Sequence, residues 1–153
     1  MQNYPFLYRS TPQRLENLEV KVGNLALVRA HPVRLQSMTS VNTPDTEAVV
    51  AQSLRMIEAG CELVRITAPG IREAEHLAVI KKELKIRGFD IPLVADIHYN
   101  PEAALVAARL VEKVRINPGN YIDRRATQTH FTQNHYDATL EQMALRMAPL
   151  LAV

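Results

Sequence analysis

The sequence predicts an α/β fold, the first half of a TIM (βα) barrel with an N-terminal hairpin. The main observation is that short apolar runs at residues 33–38, 63–66, 93–97 and 114–116 alternate with segments of helical periodicity. Strands that are joined by single helices pair in parallel through right-handed crossovers. A complete barrel needs eight strands and about 250 residues. Four strands therefore predict that residues 1–153 form only the N-terminal portion of a barrel domain.

One predicted element precedes the barrel strands. Residues 20–28 form two short extended segments around Gly23-Asn24, a pair that is typical of hairpin turns. We expect this hairpin to close one end of the barrel. The competing architecture is an open doubly wound sheet, which predicts a glycine-rich loop after the first strand. Residues 36–40 contain no glycine, so the barrel is favoured.

Helix-start signals follow two of the apolar runs. Thr43 is a predicted N-cap with Pro44 at the first helical position, where the missing amide hydrogen costs nothing. Asn100 and Pro101 repeat this signal before an alanine-rich segment. Beyond the fourth strand we expect a loop at residues 118–132 and then a last helix.

Charge and composition narrow the classes of function. The formal net charge is +2, and no stretch combines clustered basic residues with aromatic ones, so no nucleic-acid partner is expected. Neither an apolar run of about eighteen residues nor a signal-peptide pattern occurs, which predicts a cytoplasmic protein with no membrane segment. Cys61 is the only cysteine. This stretch alone therefore cannot supply a disulfide, a cysteine-held metal or an iron-sulfur site.

Candidate site residues lie at the ends of three consecutive strands. They are Arg65, Asp96, His98, Arg115 and Asn117. Barrel active sites are built from the carboxyl ends of the strands. Because strand side chains alternate, residues two positions apart share one face, and we expect this polar set to point into the barrel mouth. The planar fork of arginine suits phosphate oxygens. The pattern therefore predicts a site for an anionic substrate.

Other interpretations of these residues stay open. Arg65 and Arg115 can pair with Asp96 in an ion network that serves only the fold. Asp96 and His98 also have the spacing of two metal ligands on a strand, but no third ligand is evident. Residues 117–120 have the composition of a turn that simply leaves the fourth strand. We expect hydrogen bonding to substrate hydroxyls, or proton transfer by His98, and no metal bound by this chain.

Four segments together resemble one enzyme family. They are Gln-Ser-Met-Thr at residues 36–39, Ala-Gly-Cys-Glu-Leu-Val-Arg at 59–65, Pro-Leu-Val-Ala-Asp-Ile-His at 92–98 and Val-Arg-Ile-Asn-Pro-Gly-Asn at 114–120. In this order they resemble 4-hydroxy-3-methylbut-2-enyl diphosphate synthase, the iron-sulfur oxidoreductase of the methylerythritol phosphate pathway of isoprenoid biosynthesis. The likeness runs from about residue 20 to the end of the chain.

The resemblance implies a complete barrel and a separate domain that binds a 4Fe-4S cluster through three cysteines and a glutamate, all beyond Val153. It implies two-electron reductive ring opening of 2-C-methyl-erythritol 2,4-cyclodiphosphate, with loss of water, to 4-hydroxy-3-methylbut-2-enyl diphosphate. Ferredoxin or flavodoxin would supply the electrons. The segment from Tyr121 onward resembles the larger form of the family, found in plants and some bacteria, which carries an inserted domain.

The resemblance also implies roles for the candidate residues. Arg65 and Arg115 would hold the diphosphate. Asp96, His98 and Asn117 would orient the carbons and hydroxyls. No catalytic residue is assigned to this chain, which would supply part of the substrate site and be inactive alone. The alternatives are another anion-binding barrel enzyme, of the dihydropteroate synthase type, and a non-catalytic fragment that acts as a binding module.

Open strand edges bear on the behaviour of the chain by itself. A half barrel leaves its first and fourth strands without neighbours, and such apolar edges pair readily with other chains. We therefore expect the isolated chain to be unstable or to self-associate.

Overall fold

A parallel sheet with helices packed on one face forms the centre of the molecule. The computed structural model describes residues 18–27, 31–121 and 132–153, so most of the predicted loop at 118–132 lies outside the described residues. The strands are β1 (Val20–Val22), β2 (Leu25–Leu27), β3 (Gln36–Met38), β4 (Leu63–Thr67), β5 (Leu93–Asp96) and β6 (Lys113–Arg115). The helices are α1 (Thr46–Glu58), α2 (Ile71–Ile86), α3 (Pro101–Ala108) and α4 (Gln133–Leu151), with a 3₁₀ turn at Pro118–Asn120.

The four barrel strands lie in the order β3-β4-β5-β6, and every neighbouring pair is parallel. This confirms the predicted α/β class and the predicted sequence of βα units. β3 covers only Gln36–Met38 and is shorter than the strand predicted from the apolar run at 33–38. Val33 and Leu35 are exposed and precede the paired residues.

Alternate side chains of the strands face two different layers. Val64 and Ala95 are buried in the main core, together with residues of the helices. Leu63 and Val94 belong instead to a second cluster that includes Val22 of the hairpin. Because side chains alternate along a strand, the residues that follow Leu63 and Val94 by two positions face the barrel interior. This places the charged candidates on the interior side.

The start of α1 differs from the prediction. Asp45 is its N-cap, and the Asp45 side chain accepts a hydrogen bond from the backbone nitrogen of Ala48 at 3.0 Å. The prediction that Thr43 caps this helix, with Pro44 at its first position, is wrong. The Thr43 hydroxyl donates to the carbonyl oxygen of Thr67 at 2.5 Å. This hydrogen bond holds the loop before α1 against the end of β4, so the Thr43 hydroxyl does not cap α1.

The predicted start of α3 is confirmed. The Asn100 side chain accepts from the backbone nitrogen of Ala103 at 3.2 Å, and Pro101 is the first helical residue. The last helix, α4, begins after Thr132 and is present as predicted. Within the described ranges, no helix combines the length and apolarity that crossing a membrane requires.

The predicted hairpin is confirmed and lies at the amino ends of the barrel strands. Gly23 in its turn has a φ of +59°, a conformation that favours glycine. A Cβ at this position would lie 3.1 Å from side-chain carbons of Pro92 and Glu112. The hairpin turn therefore packs closely against the residues that precede β5 and β6.

Arg34 connects the hairpin to the start of the strand layer. Arg34 Nε donates to the carbonyl oxygen of Ala26 at 3.3 Å, and Arg34 Nη1 donates to Glu62 Oε1 at 2.8 Å. Glu62 Oε2 accepts from the backbone nitrogen of Leu35 at 3.0 Å. The Leu35 amide, followed by the Arg34 guanidinium, stabilises the charged carboxylate and lowers the pKa of Glu62 below its usual value.

Acid should loosen this end of the fold through Glu62. Because its folded pKa lies below the usual 4.5, its stabilisation is present above that pH and is lost as pH falls through the lowered value. We expect the substitution Glu62→Gln to remove this pH dependence. Hydrogen exchange of the β1 and β2 amides, compared between the two proteins at each pH, measures the effect. The same acid response in both proteins would contradict the prediction.

Both outer strands lack a neighbour among the described residues. β3 and β6 lie at the two ends of the strand order. Val33, Leu35 and Met38 are exposed on or just before β3. Unpaired backbone beside exposed apolar side chains is a template for pairing with another chain.

We therefore expect the isolated chain to self-associate, with a mass that rises with concentration in size-exclusion chromatography coupled to light scattering. The variant Leu35→Lys should lower that mass, because a charge beside an open edge disfavours pairing. Ile86→Lys, on the exposed surface of α2, is the matched control and should have no effect. A monomeric wild-type chain with a sharply cooperative melt would refute the expectation.

Candidate functional site

The predicted site residues gather around one buried carboxylate. Asp96 is the last residue of β5, the strand between β4 and β6, and is only 1 % exposed. Its register partners are Thr67 in β4 and Arg115 in β6. A charge at this depth is costly unless it is paired. The partners of Asp96 therefore determine the net charge of the site.

Two arginines from the flanking strands pair with this carboxylate. Arg65 Nη2 donates to Asp96 Oδ2 at 2.6 Å, and Arg115 Nη1 donates to Asp96 Oδ1 at 3.1 Å. The side chains of Arg65 and Arg115 are 25 % and 39 % exposed, so each is mostly buried and keeps a part open to solvent. Two guanidinium charges against one carboxylate leave a net positive charge at the carboxyl edge of the sheet.

His98 joins this group from the loop after β5. Its Nε2 lies 3.3 Å from Asp96 Oδ2, and its side chain is 41 % exposed. Tyr99 follows with a φ of 57°, in the left-handed region that residues with a Cβ rarely adopt. The ring centroids of His98 and Tyr99 are 6.1 Å apart. A strained backbone position therefore immediately follows the imidazole that contacts Asp96.

Asn117 is not hydrogen-bonded to this group. Its Oδ1 accepts from the backbone nitrogen of Gly119 at 3.1 Å and so caps the 3₁₀ turn Pro118–Asn120. This geometry agrees with the interpretation of residues 117–120 as the exit from a strand. The side chain is exposed near the end of β6, and its contact with a substrate stays a prediction.

Sequence reasoning missed two threonines at the same edge. Thr67 ends β4 and lies beside Asp96 in register. Its position two residues after Arg65 was the available signal. Thr39 follows β3 and is 4 % exposed, and its hydroxyl has no hydrogen-bond partner among the described residues. Arg65 Nε is also buried without such a partner, an arrangement that is costly in a folded protein.

Tyr121 is buried in the main core. Burial, with the charge of Glu102 as the smaller cause, raises the pKa of Tyr121 above its usual 10.0 and so favours its neutral hydroxyl. This hydroxyl has no hydrogen-bond partner among the described residues.

The part of the chain that the structure describes offers no metal centre. No three His, Cys, Asp or Glu side chains within it are arranged to hold a metal ion. Cys61 precedes β4 at the opposite, amino end of the strands, where its Sγ donates to the carbonyl oxygen of Leu63 at 2.9 Å. A 4Fe-4S cluster therefore does not fit the described residues. The pairing of Asp96 with two arginines favours the ion-network interpretation of Asp96 over the metal-ligand one.

Comparison with known families gives the context of this site. The family model described as the GcpE TIM-barrel domain matches residues 17–148. The chain belongs to this family. The match extends from the hairpin across all four parallel strands and into α4, which confirms the predicted barrel. The group around Asp96 therefore lies at the carboxyl edge of a TIM-barrel domain, where enzymes of this fold place their active sites.

Curated relatives agree with this assignment and share one printed name, 4-hydroxy-3-methylbut-2-en-1-yl diphosphate synthase (flavodoxin). The protein from Parabacteroides distasonis is 49 % identical over 142 residues, covering 92 % of this chain and 23 % of the relative. The Protochlamydia amoebophila protein is 46 % identical, with coverages of 86 % and 20 %. The Akkermansia muciniphila protein is 41 % identical, with coverages of 96 % and 25 %. The chain thus spans about a quarter of the length of these relatives.

The strain at Tyr99 can be measured with two variants. Tyr99→Gly and Tyr99→Ala both remove the ring, but only alanine keeps a Cβ in the left-handed conformation. We expect the glycine variant to be more stable than the alanine variant by about 1 kcal/mol, after allowance for the greater freedom of unfolded glycine. Urea unfolding of the full-length protein measures the difference. An alanine variant at least as stable as the glycine variant would show that the backbone is not strained there.

Proposed function

We propose that this chain supplies one wall of the substrate site of a 4-hydroxy-3-methylbut-2-en-1-yl diphosphate synthase. The observation that carries the proposal is the pairing of Arg65 and Arg115 with buried Asp96 at the carboxyl edge of a TIM-barrel domain. The relatives that share this domain bear the name of that enzyme.

A diphosphate fits the chemistry of this edge. A guanidinium has five N–H donors in a plane, and each arginine uses only one of its terminal nitrogens on Asp96. Both side chains are partly exposed, and we assign their remaining donors to the phosphate oxygens, which a guanidinium can bind through two parallel hydrogen bonds. The net positive charge of the group favours an anion, and it lies in the partly buried setting where screening by salt is weak.

The other predicted residues are assigned to the hydroxyl-bearing part of the substrate. The imidazole of His98 is held against Asp96 and is partly exposed, so it can exchange a hydrogen bond with a hydroxyl or move a proton at Nε2 or Nδ1. Asn117 lies exposed at the end of the neighbouring strand, and its amide nitrogen is a hydrogen-bond donor for the same part.

The proposed reaction is the reductive ring opening of 2-C-methyl-erythritol 2,4-cyclodiphosphate. Two electrons and two protons are consumed, and one oxygen atom leaves as water. The product is the linear allylic diphosphate, 4-hydroxy-3-methylbut-2-enyl diphosphate. The contribution of this chain is to bind the diphosphate and orient the ring. The names of the relatives support flavodoxin as the electron donor. The resemblance implies isoprenoid precursor biosynthesis, and we propose the cytoplasm as its location.

The resemblance implies a 4Fe-4S cluster, which supplies electrons to the substrate when it is bound. Because the described residues offer no ligand set for it, we assign the cluster to a part of the protein outside this chain. The roughly fourfold greater length of the relatives leaves room for such a part. The dihydropteroate synthase type is disfavoured, since all three relatives described above carry the name 4-hydroxy-3-methylbut-2-en-1-yl diphosphate synthase (flavodoxin).

Arg115→Ala in the full-length protein should weaken substrate binding by about 2 to 5 kcal/mol, because it removes one charged partner from a diphosphate in a partly desolvated site. Isothermal titration with the cyclic diphosphate measures the loss. Arg109→Ala, at the exposed end of α3, is the matched control and should bind as the wild type does. Unchanged affinity in the Arg115 variant would refute the proposed site.

A further inference from the structure

We propose that Asp96 is a positioning residue, which acts on the substrate only by holding Arg65 and Arg115 where a diphosphate can bridge them. This inference rests on the proposed function and deepens it. The resemblance implies a different role, in which Asp96 itself contacts the carbons and hydroxyls of the substrate. The two roles differ in the atoms that meet the substrate, and the geometry favours the indirect one.

Both carboxylate oxygens of Asp96 are already engaged. Oδ2 accepts from Arg65 Nη2 at 2.6 Å and lies 3.3 Å from His98 Nε2, while Oδ1 accepts from Arg115 Nη1 at 3.1 Å. The residue is 1 % exposed, so a ligand reaches it only by displacing one of these partners. The surfaces open to a ligand belong to the arginines, which are 25 % and 39 % exposed.

Strand geometry explains why the arginines need this carboxylate. Arg65 is in register with Val94, two residues before Asp96, which corresponds to about 6.6 Å along the strand. Its side chain must therefore extend toward the carboxyl edge, and the bond to Asp96 holds it there. Arg115 lies directly opposite Asp96 in register. An arginine that is already held in place loses less side-chain entropy when it binds an anion.

A positioning role and simple electrostatics predict opposite changes for Asp96→Asn. The substitution removes a negative charge, so electrostatic attraction alone would make an anion bind more tightly. An amide accepts weaker hydrogen bonds than a carboxylate and repels a guanidinium through its own N–H groups. If Asp96 positions the arginines, anion binding weakens in spite of the larger positive charge.

Inorganic pyrophosphate is the probe that separates the two roles, because it carries two phosphoryl groups and no hydroxyl-bearing carbons. In the full-length synthase we expect Asp96→Asn to weaken inhibition by pyrophosphate and to raise the KM for the cyclic diphosphate in parallel, each about tenfold or more. Asp96→Glu should also weaken both, because its carboxylate is displaced by one methylene group.

Glu112→Gln is the matched control. Glu112 is another partly buried carboxylate that pairs with a cation, Lys81, and it accepts from the backbone nitrogen of Leu93 at 2.9 Å. It lies at the amino ends of the strands, away from the arginines. This variant should lower the thermal unfolding midpoint and leave inhibition by pyrophosphate unchanged, which separates a loss of stability from a loss of positioning.

The outcomes distinguish the inference from the function on which it rests. If Asp96→Asn binds pyrophosphate as well as the wild type does while its affinity for substrate falls, the positioning role is overturned and Asp96 contacts the hydroxyls directly. If Arg115→Ala also leaves inhibition by pyrophosphate unchanged, the proposed diphosphate site fails as well. Should Asp96→Asn not fold, Asp96→Glu is read by the same criteria.

Discussion

The site depends on one constraint, the burial of the Asp96 carboxylate on β5, between β4 and β6. Removing a carboxylate from water costs several kcal/mol even after the protein relaxes. At Asp96 this cost is offset by charge-assisted hydrogen bonds from Arg65 and Arg115. The need to pair this carboxylate fixes the direction of both arginine side chains. The contact of His98 with Asp96 also holds the loop after β5 close to the group. The net positive charge at this edge is therefore a product of how the fold satisfies one of its own charges.

The same interaction shows that two interpretations of the sequence are not exclusive. One treated the charged residues as an ion network that serves the fold, and the other treated them as a binding site. The network exists, because Asp96 has both arginines as partners. It leaves one net positive charge and two partly exposed arginine side chains, which is what the proposed diphosphate site requires. The pairing that satisfies the fold is therefore compatible with the proposed site.

Much of this arrangement was predictable from local patterns. The alternation of side chains along a strand predicted that Asp96 and Arg115 face the interior side. Asn100, as an N-cap residue, predicted the start of α3. Where the prediction failed, a contact distant in sequence was responsible. Thr43 lost its role as a helix cap because its hydroxyl donates to Thr67, and only the folded sheet brings these residues together. The charges of Arg65, Asp96 and Arg115 suggested their pairing, whereas the neutral hydroxyl of Thr43 gave no such indication of its partner.

The position of the hairpin has a consequence for the interior face of the sheet. Val22 packs against Leu63 and Val94 on the interior side, at the amino ends of the strands. The hairpin therefore covers the amino ends of these strands, and the arginines lie at the opposite, carboxyl end. The interior face of the described sheet is thus divided along the same strands into an apolar end, closed by the hairpin, and a charged end.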